Sequence, residues 1–539
     1  MTSVINGWTH LGSVIEEQAA RYSDKTFLAW HAERYSYEEV NHLADQYRYG
    51  LEESGAATGD VVCIMMRNCP EYVFTMFALA KLAAIEAGIN PDSVGSALVH
   101  QLELAQPKVI VLEESSARAV AQVADQLTTL ETIVFKGAPD WEPPAELLRF
   151  RWVVLSDFHA LTVSAPRPVV EVPLDAPCML RGTSGTTGPS KMVEISHNYL
   201  LHLASEVVWH VGIREDDVLF TPYPLFHGQA PVCCIYPALL TGGTAAIVER
   251  FSASKFWSQI REVNATVFDY IGAALTILAK QPERPDDRDN TVRLAHGCPT
   301  PGNWRELEQR YGLKLAENYG STEACLPAWD SLSEPHHDGS CGRVCEHHDV
   351  QIIGDFDRPL APGEVGEIAV RPRDPFTQMT GYWRNPEASA VAMRNFWFHT
   401  GDLGYLDVDQ RLHFSGRKKD VIRRRGQNIS AFEIESVMER DPAILEAAAI
   451  GVPSDLTEED VKLVVVPVAG IGLTTDEVLA IARRGLAKYM TPRYVEIVDA
   501  LPKGPSGKVN KYVLRDNWRN ENTFDDGLAH HGSPVRGAV

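Results

Sequence analysis

Thr183-Ser184-Gly185-Thr186-Thr187-Gly188-Pro189-Ser190-Lys191 follows the apolar segment Ala176-Pro-Cys-Met-Leu180 and closes on a single lysine. Glycines allow a tight fold that turns consecutive N–H groups inward, and the Ser, Thr and Lys side chains add donors. The stretch therefore reads as a cradle for nucleotide phosphates at the end of a strand. It is not the common P-loop, in which lysine directly follows glycine and precedes Ser or Thr. Here Pro189 and Ser190 stand between Gly188 and Lys191, so phosphate binding survives while the kinase-like and ATPase-like folds lose their support.

Working outward, the chain of 539 residues is too long for one ordinary core, and it suits a large domain with subdomains plus a smaller one. Hydrophobic residues make up 45% and charged residues 23%, as in globular proteins. A net charge of −22 disfavours nucleic acid and anionic membrane, so an anionic ligand has to be captured by a local donor cluster. No apolar run approaches the ~18 residues of a membrane span, and the N-terminus lacks a basic start followed by an apolar core. The nine cysteines have irregular spacing and an odd count, against a complete disulfide framework. The Cys341 to Cys345 interval, with His336, His337, His347 and His348 nearby, lacks a second ligand pair and is not a zinc motif. These features predict a reduced, cytoplasmic protein.

Residues from about 10 to 120 alternate helical apolar spacing (Leu11 to Tyr22, Ser36 to Glu53) with buried strands (Val61 to Met65, Val109 to Leu112). A second such block runs from about 177 to 330, with strands at Val218 to Thr221 and Thr244 to Val248. The expected fold class is α/β: layered subdomains with mostly parallel strands in a large N-terminal domain, residues 1–416. Its last part, about 340–416, has short strands between Pro/Gly turns and reads as a small β-rich subdomain. A hinge at 417–420 precedes a small mobile α+β C-terminal domain, 421–516. Residues 517–539 are expected to be a disordered tail.

Four further segments carry chemistry. Asn318-Tyr-Gly-Ser-Thr-Glu-Ala324 follows the short apolar segment Leu313 to Ala316, where α/β sheets present ligand groups. Tyr319 offers a flat face for a purine, Thr322 a hydroxyl for a phosphate oxygen, and Glu323 a hard ligand for Mg²⁺. Asp402, after the Thr400-Gly401 turn, can accept both ribose hydroxyls, although such an aspartate also serves as an ordinary turn-former. His227, in Pro224-Leu-Phe-His-Gly228, reads either as a satisfied core histidine or as lining the passage of an organic acid. Lys508, flanked by Gly and Pro in Leu501 to Val509, can present its ammonium to another domain, where a compact cation suits a phosphate and a carboxylate together.

Taken together, Thr183 to Lys191, Tyr319 to Glu323, Thr400 to Asp402, Gly416 to Asp420 and Gly507-Lys508 resemble the adenylate-forming family of acyl- and aryl-CoA synthetases, luciferases and peptide-synthetase adenylation domains. Thr380-Gly-Tyr-Trp-Arg-Asn-Pro-Glu-Ala388 and Arg424 to Ser430 add to the resemblance, which covers about residues 10 to 515. Residues 266 to 282 look most like crotonobetaine/carnitine-CoA ligase-type synthetases, a more local likeness. The resemblance implies a two-step reaction in which a carboxylic acid and ATP give acyl-AMP and pyrophosphate, and a CoA thiol then displaces AMP. It implies that Asn318 lies near the adenine amino group, Arg417 joins Asp402 at the ribose and Lys419 is the pivot. It also implies that Gly426 lets the pantetheine arm pass, with Arg425 a candidate for the CoA 3′-phosphate.

Met192 stands where that family commonly has glycine, and Gly297-Cys298-Pro299 where Gly-Ala-Pro is usual, which puts the fine placement of the nucleotide in question. Gly272, Ala273 and Ala274 either leave room in an apolar acyl pocket or serve helix packing, and Asp269 is the one charge able to address a trimethylammonium group. Transfer to a carrier-protein thiol or an amine, and a regulatory relative without turnover, stand as alternatives. The acid and the oligomeric state, a homodimer included, stay open.

Overall fold

The computed structural model describes residues 8, 10–138, 140–163, 167–183, 191–334, 336–424, 427–454, 459–504 and 508–527. Two large twisted sheets face each other across a helical layer. The first runs Gly381–Tyr382, Met192–Ser196, Pro177–Gly182, Ile85–Gly88, Val61–Met65, Val109–Glu113, Thr132–Lys136, Arg151–Val154. The second runs Arg343–Val344, Cys325–Trp329, Lys314–Ser321, Leu294–Cys298, Val267–Ile271, Val218–Thr221, Thr244–Ile247, Thr26–Trp30, Glu33–Ser36. The centre of each is parallel, and antiparallel strands occur only at the margins.

The two sequence blocks expected to form separate layers exchange strands. Thr26–Trp30 pairs with Thr244–Ile247 in the second sheet, whereas Pro177–Gly182 pairs with Ile85–Gly88 in the first. One apolar core binds both sheets to the helices Leu11–Tyr22, Tyr37–Glu53, Pro70–Leu82 and His197–Val211. Pro70–Leu82 is buried on every side, as its nearly continuous apolar run requires, and its single lysine, Lys81, is neutralised by Asp45 at 2.6 Å and Glu16 at 3.4 Å. Tyr37–Glu53 begins in a capping box between Ser36 and Glu39.

The β-rich part is a four-stranded antiparallel sheet of His348–Ile353, Gly366–Pro372, Phe398–Leu406 and Leu412–Arg417. After a short turn at Lys418–Asp420 and the ribbon Val421–Arg424 with Gln427–Ser430, a second four-stranded sheet and the helices Ala431–Glu439 and Thr475–Gly485 enclose their own apolar core. The tail expectation fails for residues 517–527. Phe524–Asp525 is an edge strand beside Tyr494–Ile497, Trp518 packs on Tyr494 at 5.2 Å, and Arg493 holds Asp525 at 3.1 Å. Two aromatic anchors in an otherwise polar stretch supply enough burial to order it. Residues 528–539 lie outside the described residues. No described helix is long and apolar enough to cross a membrane.

Candidate active site

The proposed phosphate loop joins the antiparallel strands Pro177–Gly182 and Met192–Ser196. Its two described ends close the hairpin: Thr183 N–H and hydroxyl both donate to the Lys191 carbonyl, at 2.8 and 3.3 Å. Ser184, Gly185, Thr186, Thr187 and Gly188 lie outside the described residues. Met192 is buried in the apolar core beside Leu180, so its extra bulk is absorbed by the sheet.

The Lys191 ammonium sits 4.4 Å above the Tyr382 ring, and the Tyr382 hydroxyl donates to Glu323 Oε1 at 3.3 Å. One aromatic side chain thus links the end of the phosphate loop to the candidate Mg²⁺ ligand. Tyr382 belongs to the short strand Gly381–Tyr382 that pairs with Val193 and Glu194, so backbone pairing fixes its position. In sequence Tyr382 stands out only as part of the motif Thr380 to Ala388.

Asn318-Tyr-Gly-Ser321 does not follow the strand as expected. It forms the second half of Lys314–Ser321, and Thr322 and Glu323 make the turn into Cys325–Trp329. The Thr322 carbonyl accepts from the Tyr199 hydroxyl at 2.9 Å, which fixes the turn to the helix His197–Val211. Asp402, expected just after a Thr400-Gly401 turn, also lies within a strand, Phe398–Leu406, in register with Arg417. Gly401, at φ +70°, supplies the left-handed kink just before it. The Tyr319 hydroxyl donates to Asp402 Oδ2 at 2.8 Å, and Arg417 Nε lies 3.4 Å from Oδ1. Burial raises the Asp402 carboxyl above the ordinary aspartate range, opposed by Arg417, Tyr319, Lys508 and Lys419.

On the facing wall, Gly297 approaches the Tyr270 carbonyl so closely that a Cβ would lie 1.9 Å from its oxygen. Cys298 and Pro299 follow, and burial pushes the Cys298 thiol up to about 11. Gly272 packs directly on that loop, since a Cβ there would come 2.4 Å from the Pro299 carbonyl oxygen. Backbone approach therefore explains Gly272 better than free space does. His227 accepts the Gln229 N–H at Nδ1 (3.5 Å), and desolvation lowers its pKa to about 4, with Lys508 and Arg181 adding to the shift. Asp269 is buried within its strand, with Oδ2 taking the Gln229 amide at 2.9 Å and burial raising it to about 7. It is a partner of Gln229 and no longer an obvious cation receptor. Two other buried groups brace these walls without any sequence signal: Arg181 on Glu86 at 2.8 Å, and Glu317 receiving the Thr300 N–H at 3.0 Å.

Lys508 reaches this cleft from the C-terminal unit. Its ammonium interacts electrostatically with Arg417, Cys298, Asp402, Glu323 and His227. Desolvation and Arg417 lower its pKa, but the residue keeps an open surface, so water limits the shift. Contacts across the join are specific: Ser430 hydroxyl to Ser415 carbonyl at 2.5 Å, Phe414 on Phe432 at 5.1 Å, and Lys280 to the carbonyls of Ile444 and, at 3.3 Å, Leu445. Lys419, in the connecting turn, is depressed to about 8 by burial and Arg417. Arg425 and Gly426 lie outside the described residues, and neighbouring Arg424 is engaged by Asp460 at 3.1 Å and the Thr491 carbonyl at 2.8 Å.

The chain matches the family described as AMP-binding enzyme over residues 15–383 and its C-terminal domain over 433–508. It is 30% identical over 525 residues to a crotonobetaine/carnitine-CoA ligase of Salmonella heidelberg, covering 95% of this chain and 100% of the relative. Among solved structures, the anthranilate CoA ligase AuaEII in complex with anthranoyl-AMP superposes with TM-score 0.84 at 23% identity, covering 96% of this chain and 98% of that one. ATP-bound MatB from Rhodopseudomonas palustris gives 0.81 at 26%, covering 94% and 99%. With two domain matches that together span the cleft and the lobe carrying Lys508, the chain belongs to the AMP-binding enzyme family.

Proposed function

We propose that the cleft performs both halves of an AMP-forming acyl-CoA synthesis, with Lys508 serving only the first. A carboxylate attacks the α-phosphate of ATP, the bond to the β-phosphate oxygen breaks and pyrophosphate leaves. The CoA thiol then attacks the acyl carbon, its proton is lost, and AMP leaves. The observation that carries this reading is the position of Lys508 opposite Asp402, Glu323 and His227. Two anions must meet in the first step, and an ammonium between them counters the charge that accumulates.

In this reading Tyr319 and Asn318 receive adenine, and Asp402 with Arg417 holds the ribose. Thr183, Lys191 and the loop between them grip the departing phosphates, and Thr322 contacts the α-phosphate. Glu323 suits Mg²⁺ because it offers a hard carboxylate beside the loop, steadied by the Tyr382 hydroxyl; the ion would neutralise phosphate oxygens there. His227, held neutral, borders the acyl passage without adding a positive charge near Lys508. The same depressed pKa rules against His227 as a proton donor at neutral pH. Lys419 serves as the pivot that withdraws Lys508 before CoA arrives, and residues 1–416 and 421–516 are the two moving bodies. In this reading the chain works in the cytoplasm, on a small carboxylic acid.

Lys508→Ala should reduce acyl-AMP formation at least ~10²-fold, the scale of one lost aimed donor, while thioester formation from supplied acyl-AMP and CoA is largely kept. Equal loss of both half-reactions would overturn the two-position scheme. A carboxylic-acid panel read by pyrophosphate release, with and without CoA, identifies the acid and the acceptor.

A further inference from the structure

The helix His197–Val211 places His202, Glu206 and His210 one turn apart on a single face. Facing His202 are Cys325, the first residue of Cys325–Trp329, and His348, the first residue of His348–Ile353. The ligand atoms of His202, Cys325 and His348 all lie within 4.8 Å of one another. The three residues are buried, at 0%, 0% and 1% exposure. His202 Nε2 pairs with Glu206 Oε1 at 3.2 Å, whereas His202 Nδ1 and both ring nitrogens of His348 have no hydrogen-bond partner. Leaving such polar groups dry and unpaired is costly. Native proteins rarely concentrate several in one place.

We propose that His202, Cys325 and His348, with Glu206 Oε1 as fourth donor, form a structural site for a thiophilic divalent cation of the zinc class. Two imidazoles, a thiolate and a carboxylate are a donor set that zinc accepts in tetrahedral geometry. The 3.2 Å between Glu206 Oε1 and His202 Nε2 suits two ligands on one such ion, which stand about 3.3 Å apart when each bond is about 2.0 Å. Glu206 Oε2 meets His210 Nε2 at 2.9 Å, and His210 in turn meets Cys345 Sγ at 3.4 Å, so an outer shell orients the donor. Those contacts occupy Glu206 Oε2 and leave Oε1 facing His202, next to the partnerless nitrogens of His348. On binding, a metal–sulfur bond replaces the Cys325 S–H bond and the proton leaves to solvent. Burial keeps the metal-free thiol protonated, so uptake should be pH-dependent.

The site would pin the turn that carries Thr322 and Glu323. Cys325 adopts φ +66°, a left-handed conformation unusual for this residue, and its N–H donates to the Tyr199 hydroxyl at 2.8 Å, the same hydroxyl that holds the Thr322 carbonyl. Of the proposed ligands only His348 fell within the histidine and cysteine cluster seen in sequence; the others come from the helix His197–Val211 and the strand Cys325–Trp329.

The test is titration of reduced, chelator-stripped full-length protein with Co²⁺, followed by Zn²⁺. One equivalent should bind with tetrahedral visible bands and a thiolate-to-cobalt absorption, both abolished by Zn²⁺. Cys325→Ser should remove the thiolate band and weaken Co²⁺ binding by more than about tenfold, since even outer partners are worth that much; Cys63→Ala, at a buried cysteine elsewhere, should change neither. Should Cys325→Ser not fold, His348→Gln gives the same affinity readout. Wild-type protein without stoichiometric thiolate-bound cobalt, or a band unchanged in both site variants, overturns the proposal.

Discussion

Two arginine–carboxylate pairs flank the cleft, and they differ in how completely they are closed. Arg181 and Glu86 sit in the first sheet with 2% and 4% of their side chains exposed, 2.8 Å apart, and the Tyr72 hydroxyl completes Glu86 at 3.3 Å. Arg417 and Asp402 are 3.4 Å apart, with 34% and 12% exposed, and Asp402 is further shared among Tyr319, Lys508 and Lys419. The first pair is shut off from water, with only Arg181 Nε left without a partner, and serves the fold. The second keeps open surface and a loose contact, as the proposed ribose-binding role of Asp402 requires. Burial of a charge alone therefore does not mark function; incomplete satisfaction beside open surface does.

Variants can break that contrast. Arg181→Ala leaves Glu86 buried without its cation and should cost about 3–5 kcal/mol, read as a large fall in melting temperature. A loss no greater than that of Arg417→Ala would erase the distinction. The closed interior should also fail in acid. Burial lowers His197 and His296 to about 3, below the ordinary 6.5. The unfolded chain then binds more protons than the folded one between these values, so stability is complete above 6.5 and falls as pH drops. From pH 6.5 to 5.5 the two together should cost about 2 kcal/mol, about 1 kcal/mol each, rising towards about 1.4 kcal/mol per unit each at lower pH, measured by denaturant unfolding at stepped pH.

The open pair should behave the other way. Asp402→Asn should leave stability nearly unchanged and weaken ATP binding by about 1.5–3 kcal/mol, the worth of hydrogen bonds to a charged group; calorimetric titration with ATP checks it. Tyr382→Phe keeps the ring beneath Lys191 but removes the hydroxyl from Glu323. Its effect should be the smallest, about 0.5–1.5 kcal/mol, appearing as a raised Mg²⁺ requirement for pyrophosphate release.

Local pattern carried much of the fold. The continuous apolar runs at Val61–Met65 and Val109–Leu112 read directly as buried parallel strands, and the Ser36 cap marks the start of Tyr37–Glu53. Which sheet a strand joins is a long-range choice, and nothing in Thr26–Trp30 announces its pairing with Thr244–Ile247. In the site, Lys508, Glu323 and Asp402 stood out through glycine- and hydroxyl-rich surroundings. Glu86, Glu317 and Cys325 sit in ordinary strands, where only tertiary neighbours give a carboxylate or thiol its meaning. Residues 517–527 were misread because composition averages away two well-placed aromatics, Trp518 and Phe524.

The helix Gly272–Ala279 is wedged at its first residue against Pro299 and followed at its far end by Lys280, which grasps the carbonyls of Ile444 and Leu445. At 1.5 Å per residue it is a strut about 12 Å long. Any shift of the Pro299 end tilts this strut and strains the grip on Ile444 at the other, so the loop beside Cys298 and the strand that begins at Ile444 are joined mechanically through one short rod.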